Sequence, residues 1–140
     1  FSLAVLLLNT ACKKLEGPGG TAAIRGNVTG HQVKNGDVEI TEVTCTTGAL
    51  LEHGDYWLLN TNLTSKYYYI YYSNPTWISD ADPHLVGRIG IEVVFNYSDS
   101  NIEIAQNTKI ALDAIANSGY TTSIQQDIIS IVNTSKAFPL

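Results

Sequence analysis

A chain of 140 residues holds one domain with a real core, and hardly two. At 44% hydrophobic and 15% charged, with 8 tyrosines and only 4 prolines, its composition argues against a disordered segment. Its 13 acidic and 8 basic residues give a net charge of −5, and apart from Lys13-Lys14 the cations stand singly, so no basic stripe is present and nucleic acid is not expected as a partner.

The first eight residues, FSLAVLLL, are apolar but well short of the roughly 20 needed to cross a bilayer. No Met or basic segment precedes them, so residues 1–11 are read as a truncated signal peptide. Leu8, Asn9, Thr10, Ala11 and Cys12 follow, then Lys13, Lys14, Leu15, Glu16 and a Gly-Pro-Gly-Gly run. This order resembles the export signal of bacterial lipoproteins, in which a cysteine after a small residue is lipidated on sulfur and becomes the new N-terminus. Asn9 stands where the strictest version carries an aliphatic residue, and the looser form resembles lipoproteins of the Bacteroidota. The resemblance implies lipidation of Cys12, a flexible tether over residues 12–20, and a lipid-anchored protein of the cell envelope, placed in the outer membrane. Each buried CH₂ of an acyl chain contributes about 0.8 kcal/mol, so two or more chains hold a protein on a membrane durably. The competing reading is an ordinary cleaved leader or a buried N-terminal strand. With Cys12 lipidated, Cys45 is left single, and its strand-like setting over residues 40–46 makes it a buried small hydrophobe.

Past the tether, residues 21–28 alternate weakly and end near Gly30. Asn35-Gly36 has hairpin-turn chemistry, and residues 37–43 begin as a second strand, with a register slip read near Thr41-Glu42. A turn at His53-Gly54-Asp55 opens a strand at Tyr56, Trp57, Leu58 and Leu59. A polar loop over 60–65 leads to residues 67–72, YYYIYY, six strand formers in a row. Ser73-Asn74-Pro75 ends that strand, and a long loop passes Asp80, Asp82 and Pro83 to Gly87. Residues 91–95 form the next strand. Ser100 and Glu103 then stand at capping-box spacing, Ile104, Thr108, Ala111, Leu112 and Ile115 recur at helical spacing, and Asn117-Ser118-Gly119 supplies a left-handed stop. A helix over 101–117 is expected, followed by a hairpin of residues 120–124 and 128–132.

Strands with one late helix predict an α+β fold, a mostly antiparallel sheet with the helix on one face, in a single domain over 21–140. A second resemblance covers residues 52–135. Gly54-Asp55-Tyr56-Trp57, the 66–72 run, Asp82-Pro83 and Gly87-Arg88-Ile89-Gly90, followed by a short Ala-containing helix and a hydrophobic hairpin, resemble a β-rich module of phage virion and tail-associated proteins. Ile89 departs from that pattern, which carries Thr there. Such a module has no catalytic residue, so the resemblance implies a structural or adhesive role.

No motif nominates a catalytic, cofactor or metal site. His31, His53 and His84 are far apart in loop-like sequence, and are read as solvated rather than as zinc ligands. Residues 99–103 faintly echo a calcium loop, but Ile104 occupies the position that requires Gly, and helix capping explains the same residues. Asp80 and Asp82 are read as turn residues before Pro83, with a weak calcium ion as the alternative. Serine-hydrolase, phosphate-loop and dinucleotide fingerprints are absent. The four Asn-x-Ser/Thr triplets are chance products of a chain rich in those residues.

The aromatic run has two readings. Alternation places Tyr67, Tyr69 and Tyr71 on one face and Tyr68, Ile70 and Tyr72 on the other. One face must be core. The other, with Trp57 and Trp77, is a candidate surface for a glycan ring or a partner protein. The expected function is therefore a membrane-anchored structural or adhesive lipoprotein, not an enzyme, with a carbohydrate- or small-ligand-binding lipoprotein as the alternative. A small hydrolase is the third and weakest reading.

Overall fold

A computed structural model describes residues 28–31, 38–61 and 66–136. Cys12, the tether and the Asn35-Gly36 turn lie outside the described residues. The elements are β1 (Val28–His31), β2 (Val38–Thr44), a 3-10 turn (Gly48–Leu50), β3 (Tyr56–Asn60), β4 (Tyr67–Ser73), β5 (Ile89–Val94), α1 (Asn101–Asp113), β6 (Tyr120–Gln125) and β7 (Ile128–Lys136). They build two sheets, one four-stranded in the order β1-β2-β7-β6 and one three-stranded in the order β3-β4-β5. The fold is α+β and mostly antiparallel, with the C-terminal hairpin β6–β7 as expected. The exception is β4 with β5, which run parallel.

Register explains which strand faces are buried. Trp57 lies opposite Ile70 and Ile70 opposite Ile91, so one row crosses the whole smaller sheet on its inner face. Tyr68, Tyr72, Leu59, Val93 and Phe95 join that face, and Val43, Ile129, Ile131 and Tyr120 come from the larger sheet. Helix α1 adds Ile104, Ala105 and Leu112, so both sheets and the helix share one core. The tyrosine, threonine and indole tips inside it are paired. Thr108 Oγ1 donates to the Ile104 carbonyl at 2.7 Å, which leaves it to accept from the Tyr72 hydroxyl at 3.2 Å. Trp57 Nε1 in turn donates to the Tyr72 oxygen at 3.4 Å. This relay ties β3, β4 and α1 together. Tyr120 and Tyr68 likewise donate to the carbonyls of Leu112 and Ser118.

The helix starts where its cap predicts. Ser100 Oγ accepts from the Glu103 N–H, and Glu103 Oε2 accepts from the Ser100 N–H at 2.7 Å. It ends at Asp113, four residues before the expected limit of 117. The Ile115 N–H bonds to the Leu112 carbonyl, a 3-10 closure that tightens the chain before left-handed Asn117 and Gly119. The Asn117 carbonyl is then capped by the Lys66 ammonium. Asp113 is exposed, and its carboxylate accepts from both Lys109 and Thr122 Oγ1, which ties the helix end to β6.

Two further readings shift. The bulge expected at Thr41-Glu42 falls instead between Val38 and Ile40, where β2 slips against β7. Strand β5 begins at Ile89 rather than Ile91, because its pairing with β4 already includes Tyr69 opposite Gly90. A Cβ at Gly90 would lie 2.7 Å from the Tyr69 hydroxyl, so only glycine leaves room for that ring. Cys45 is buried beside Thr108, and burial, followed by the Asp127 charge, pushes its thiol up to about 12. A thiol so held stays protonated and inert.

Candidate functional site

Parallel neighbours such as β4 and β5 require a crossover, and most proteins build it as a helix. Here residues 74–88 make it with neither helix nor strand. A loop of that length inside a compact domain is most often functional. It crosses the outer face of the smaller sheet, and its side chains hold it there. Asn74 is buried and its Oδ1 accepts from the N–H and hydroxyl of Thr76 at 3.0 and 2.6 Å. Asp82 Oδ1 accepts from the Tyr69 hydroxyl at 2.6 Å and the His84 N–H at 2.8 Å. Arg88 closes the far end, 5.6 Å over the Tyr67 ring and bonded to Asn60 Oδ1.

Where the loop does not touch the sheet, a recess of about 270 Å³ remains. Tyr71, Ser73, Glu92 and Val94 line it from the strands, and His53, Asn74, Trp77 and Asp80 line it from the loops. Cross-strand register accounts for the strand residues, since Tyr71 lies opposite Glu92 and Ser73 opposite Val94. Ser73 Oγ donates to Glu92 Oε1 at 2.6 Å.

Trp77 forms the rim and is 55% exposed, yet it is held on two sides. Its ring stacks on His53 at 5.7 Å with an interplanar angle of 13°. Its Nε1 donates to the Tyr97 hydroxyl at 2.7 Å. His53 is itself fixed in one tautomer. Its Nδ1 accepts from the Asn74 N–H at 3.0 Å, so Nε2 carries the proton and donates to the Ser79 carbonyl at 2.7 Å. It is a structural brace, not the solvated histidine the sequence suggests.

The five aromatic residues proposed from sequence therefore part company. Trp57 is 2% exposed and belongs to the core, because its register with Ile70 turns it inward. Tyr69 is 4% exposed, sealed beneath the loop by Asp82, and burial followed by that hydrogen bond pushes its phenol up to about 12. Tyr67 is exposed but lies under Arg88 at the far end. Only Tyr71 and Trp77 meet in the recess. The sequence does not single out His53, Ser73, Asn74 and Glu92 as its components, nor Tyr97 as the support of its rim, and the signal for them is the length of the 74–88 loop alone.

The recess is electronegative. The Tyr71 phenol is raised by burial first, then by the charges of Glu92, Asp82 and Asp80. Asp80 and His84 form an exposed pair, with His84 Nε2 at 2.9 Å from Asp80 Oδ2. The Asp82 N–H, and then His84, hold the Asp80 carboxyl below its ordinary value. The hydrogen bond to Asp80, and then the Asp82 charge, raise His84 above its own. The brace is thus complete in mildly acidic solution. It is lost as pH rises through the raised pKa of His84, and again as pH falls through the lowered pKa of Asp80. An NMR titration should find His84 above 6.5, with Asp80→Asn bringing it down. A His84 titration unmoved by that change would remove the pair from the loop's account.

A larger recess of about 620 Å³ opens at the helix end, among Leu112, Asp113, Asn117 and Tyr120. Its Asp113 carboxylate, Asn117 carbonyl and Tyr120 hydroxyl are already engaged within the fold. Among the described residues no three His, Cys, Asp or Glu side chains gather as a metal site. Asp80 and Asp82 accept from the loop's own N–H groups, His84 and Tyr69. No described helix is long and apolar enough to cross a membrane. Comparisons with protein-family models, with curated proteins and with solved structures find no match to this chain.

Proposed function

We propose that this protein is a lipid-anchored envelope protein, held in the outer membrane through Cys12, whose α+β domain has a structural or adhesive role. The observation that carries the adhesive reading is the crossover. Fifteen residues' worth of irregular chain, 74–88, is braced from both sides, yet Trp77, Ile78 and Val86 are left exposed on it. A loop that only linked two strands has no need to hold an indole fixed in water beside exposed apolar side chains, whereas a contact surface does. The order of residues 8–12 supports the anchor, and the phage-module resemblance points to the same kind of role.

The test uses the full chain behind a complete export leader, in a bacterium that processes lipoproteins. Wild type is expected in the membrane fraction carrying labelled palmitate, and Cys12→Ala in neither state. Recovery of wild type as a soluble, unlabelled protein would sink the anchor. Beads coated with the protein should adhere to isolated bacterial envelopes, and Trp77→Ala beads should not. Equal adhesion by both would remove the crossover face from the function.

A further inference from the structure

We propose that the recess between Trp77, Tyr71 and Glu92 is a subsite for one neutral pyranose ring of a glycan. The inference rests on the adhesive reading of the crossover face and names the chemistry it recognises.

Trp77 presents an indole already fixed before any ligand arrives. His53 occupies one face of the ring, Tyr97 takes its N–H, and the side chain is still half exposed. The C–H face of a sugar is a flat apolar partner for such a ring, and an immobilised platform loses little entropy on binding. Size agrees. The space of about 270 Å³ lies just below the roughly 300–1,000 Å³ typical of pockets for drug-sized ligands, so it suits one ring rather than a long buried chain.

The polar groups around that space select further. Glu92 brings a carboxylate, one oxygen of which accepts from Ser73, and Tyr71 brings a hydroxyl, while Asp80, engaged by the Asp82 N–H and His84, adds charge at the edge. Carboxylates accept strong hydrogen bonds from sugar hydroxyls. The same negative field that raises the Tyr71 phenol repels an acidic sugar. His53, the one imidazole lining the recess, has both nitrogens engaged inside the fold, so neither is offered to a ligand carboxylate. The recess is built for neutral, hydroxyl-rich rings.

Tryptophan emission of the full chain, in a Trp57→Phe background that leaves Trp77 as the only indole, gives a direct readout. The probes are maltohexaose, cellohexaose and chitohexaose as neutral glycans, with polygalacturonate as the acidic control. At least one neutral glycan should shift the emission saturably, and polygalacturonate should not. Calorimetry in the Trp57-containing chain should then show binding weakened about tenfold or more by Trp77→Ala, the scale of a lost hot-spot aromatic, with Trp77→Phe restoring part of it. Glu92→Gln should weaken binding without lowering the melting temperature. Silence toward all three neutral glycans overturns the inference, as does undiminished binding by Trp77→Ala or preference for polygalacturonate. Envelope adhesion that needs Trp77 without any glycan binding overturns the sugar subsite and keeps the adhesive reading. Glycan binding without adhesion keeps the subsite and overturns the adhesive role.

Discussion

Leu112→Ala is expected to lower stability by about 2–5 kcal/mol, the range for a leucine removed from a well-packed core. Leu112 is fully buried at 0% exposure, where α1 meets β6, and its carbonyl also accepts from the Tyr120 hydroxyl. Both sheets limit how far the helix can collapse into the space left behind. Lys109 and Asp113 serve as internal controls on the same helix. Lys109→Ala removes one partly exposed ion pair and should change stability by no more than about 1 kcal/mol. Asp113→Ala should cost more than Lys109→Ala, because the tie to Thr122 on β6 goes with it. Denaturant midpoints order the three variants. Equal losses for Leu112→Ala and Lys109→Ala would mean that the buried face of the helix is misassigned.

Phe95→Ala should be at least as damaging, at about 3–5 kcal/mol. Phe95 is at 0% exposure, just past β5, with edge-to-face contacts to Tyr72 at 6.4 Å and Tyr97 at 5.7 Å. Tyr72 belongs to the buried relay that reaches Trp57 and Thr108. Tyr97 holds the indole of Trp77. A large loss of stability is therefore expected together with a second effect at the surface. Trp77 loses part of its support, so its emission anisotropy should fall at temperatures where the variant is still folded. Leu112→Ala, remote from Tyr97, should leave that anisotropy unchanged. If both variants loosen Trp77 equally, the Phe95–Tyr97 link does not brace the recess.

Local chemistry was legible without a structure wherever neighbours in sequence are also neighbours in space. The Ser100–Glu103 capping box, the apolar stripe of α1 and the β6–β7 hairpin all involve partners a few residues apart. The same holds for the alternation that put Tyr68, Ile70 and Tyr72 on one face of β4. The length of α1 was overestimated because a helical pattern of apolar residues continues through Ile115, while the backbone has already tightened at Ala114 and Ile115.

What the chain's pattern alone settled is strands β2 to β7, the start of the helix, the α+β class and the division of β4 into two faces, whereas β1 runs on through Gly30 to His31, which read as loop, because its pairing with β2 holds it there. The tertiary structure decided which of those faces meets water, and where. Six consecutive strand formers carry no mark of strand direction, so the parallel pairing of β4 with β5 could not be read from them. That pairing forces the 74–88 segment across the sheet, where it covers Tyr69, leaves Tyr71 open and sets Trp77 on His53. Trp57 went to the core by its partnership with Ile70, thirteen positions away, although its own neighbours would have suited either face. Periodicity encodes which residues share a side of an element, because that is set by backbone geometry within a few residues. Which side is covered depends on contacts between distant segments, and only their packing supplies that.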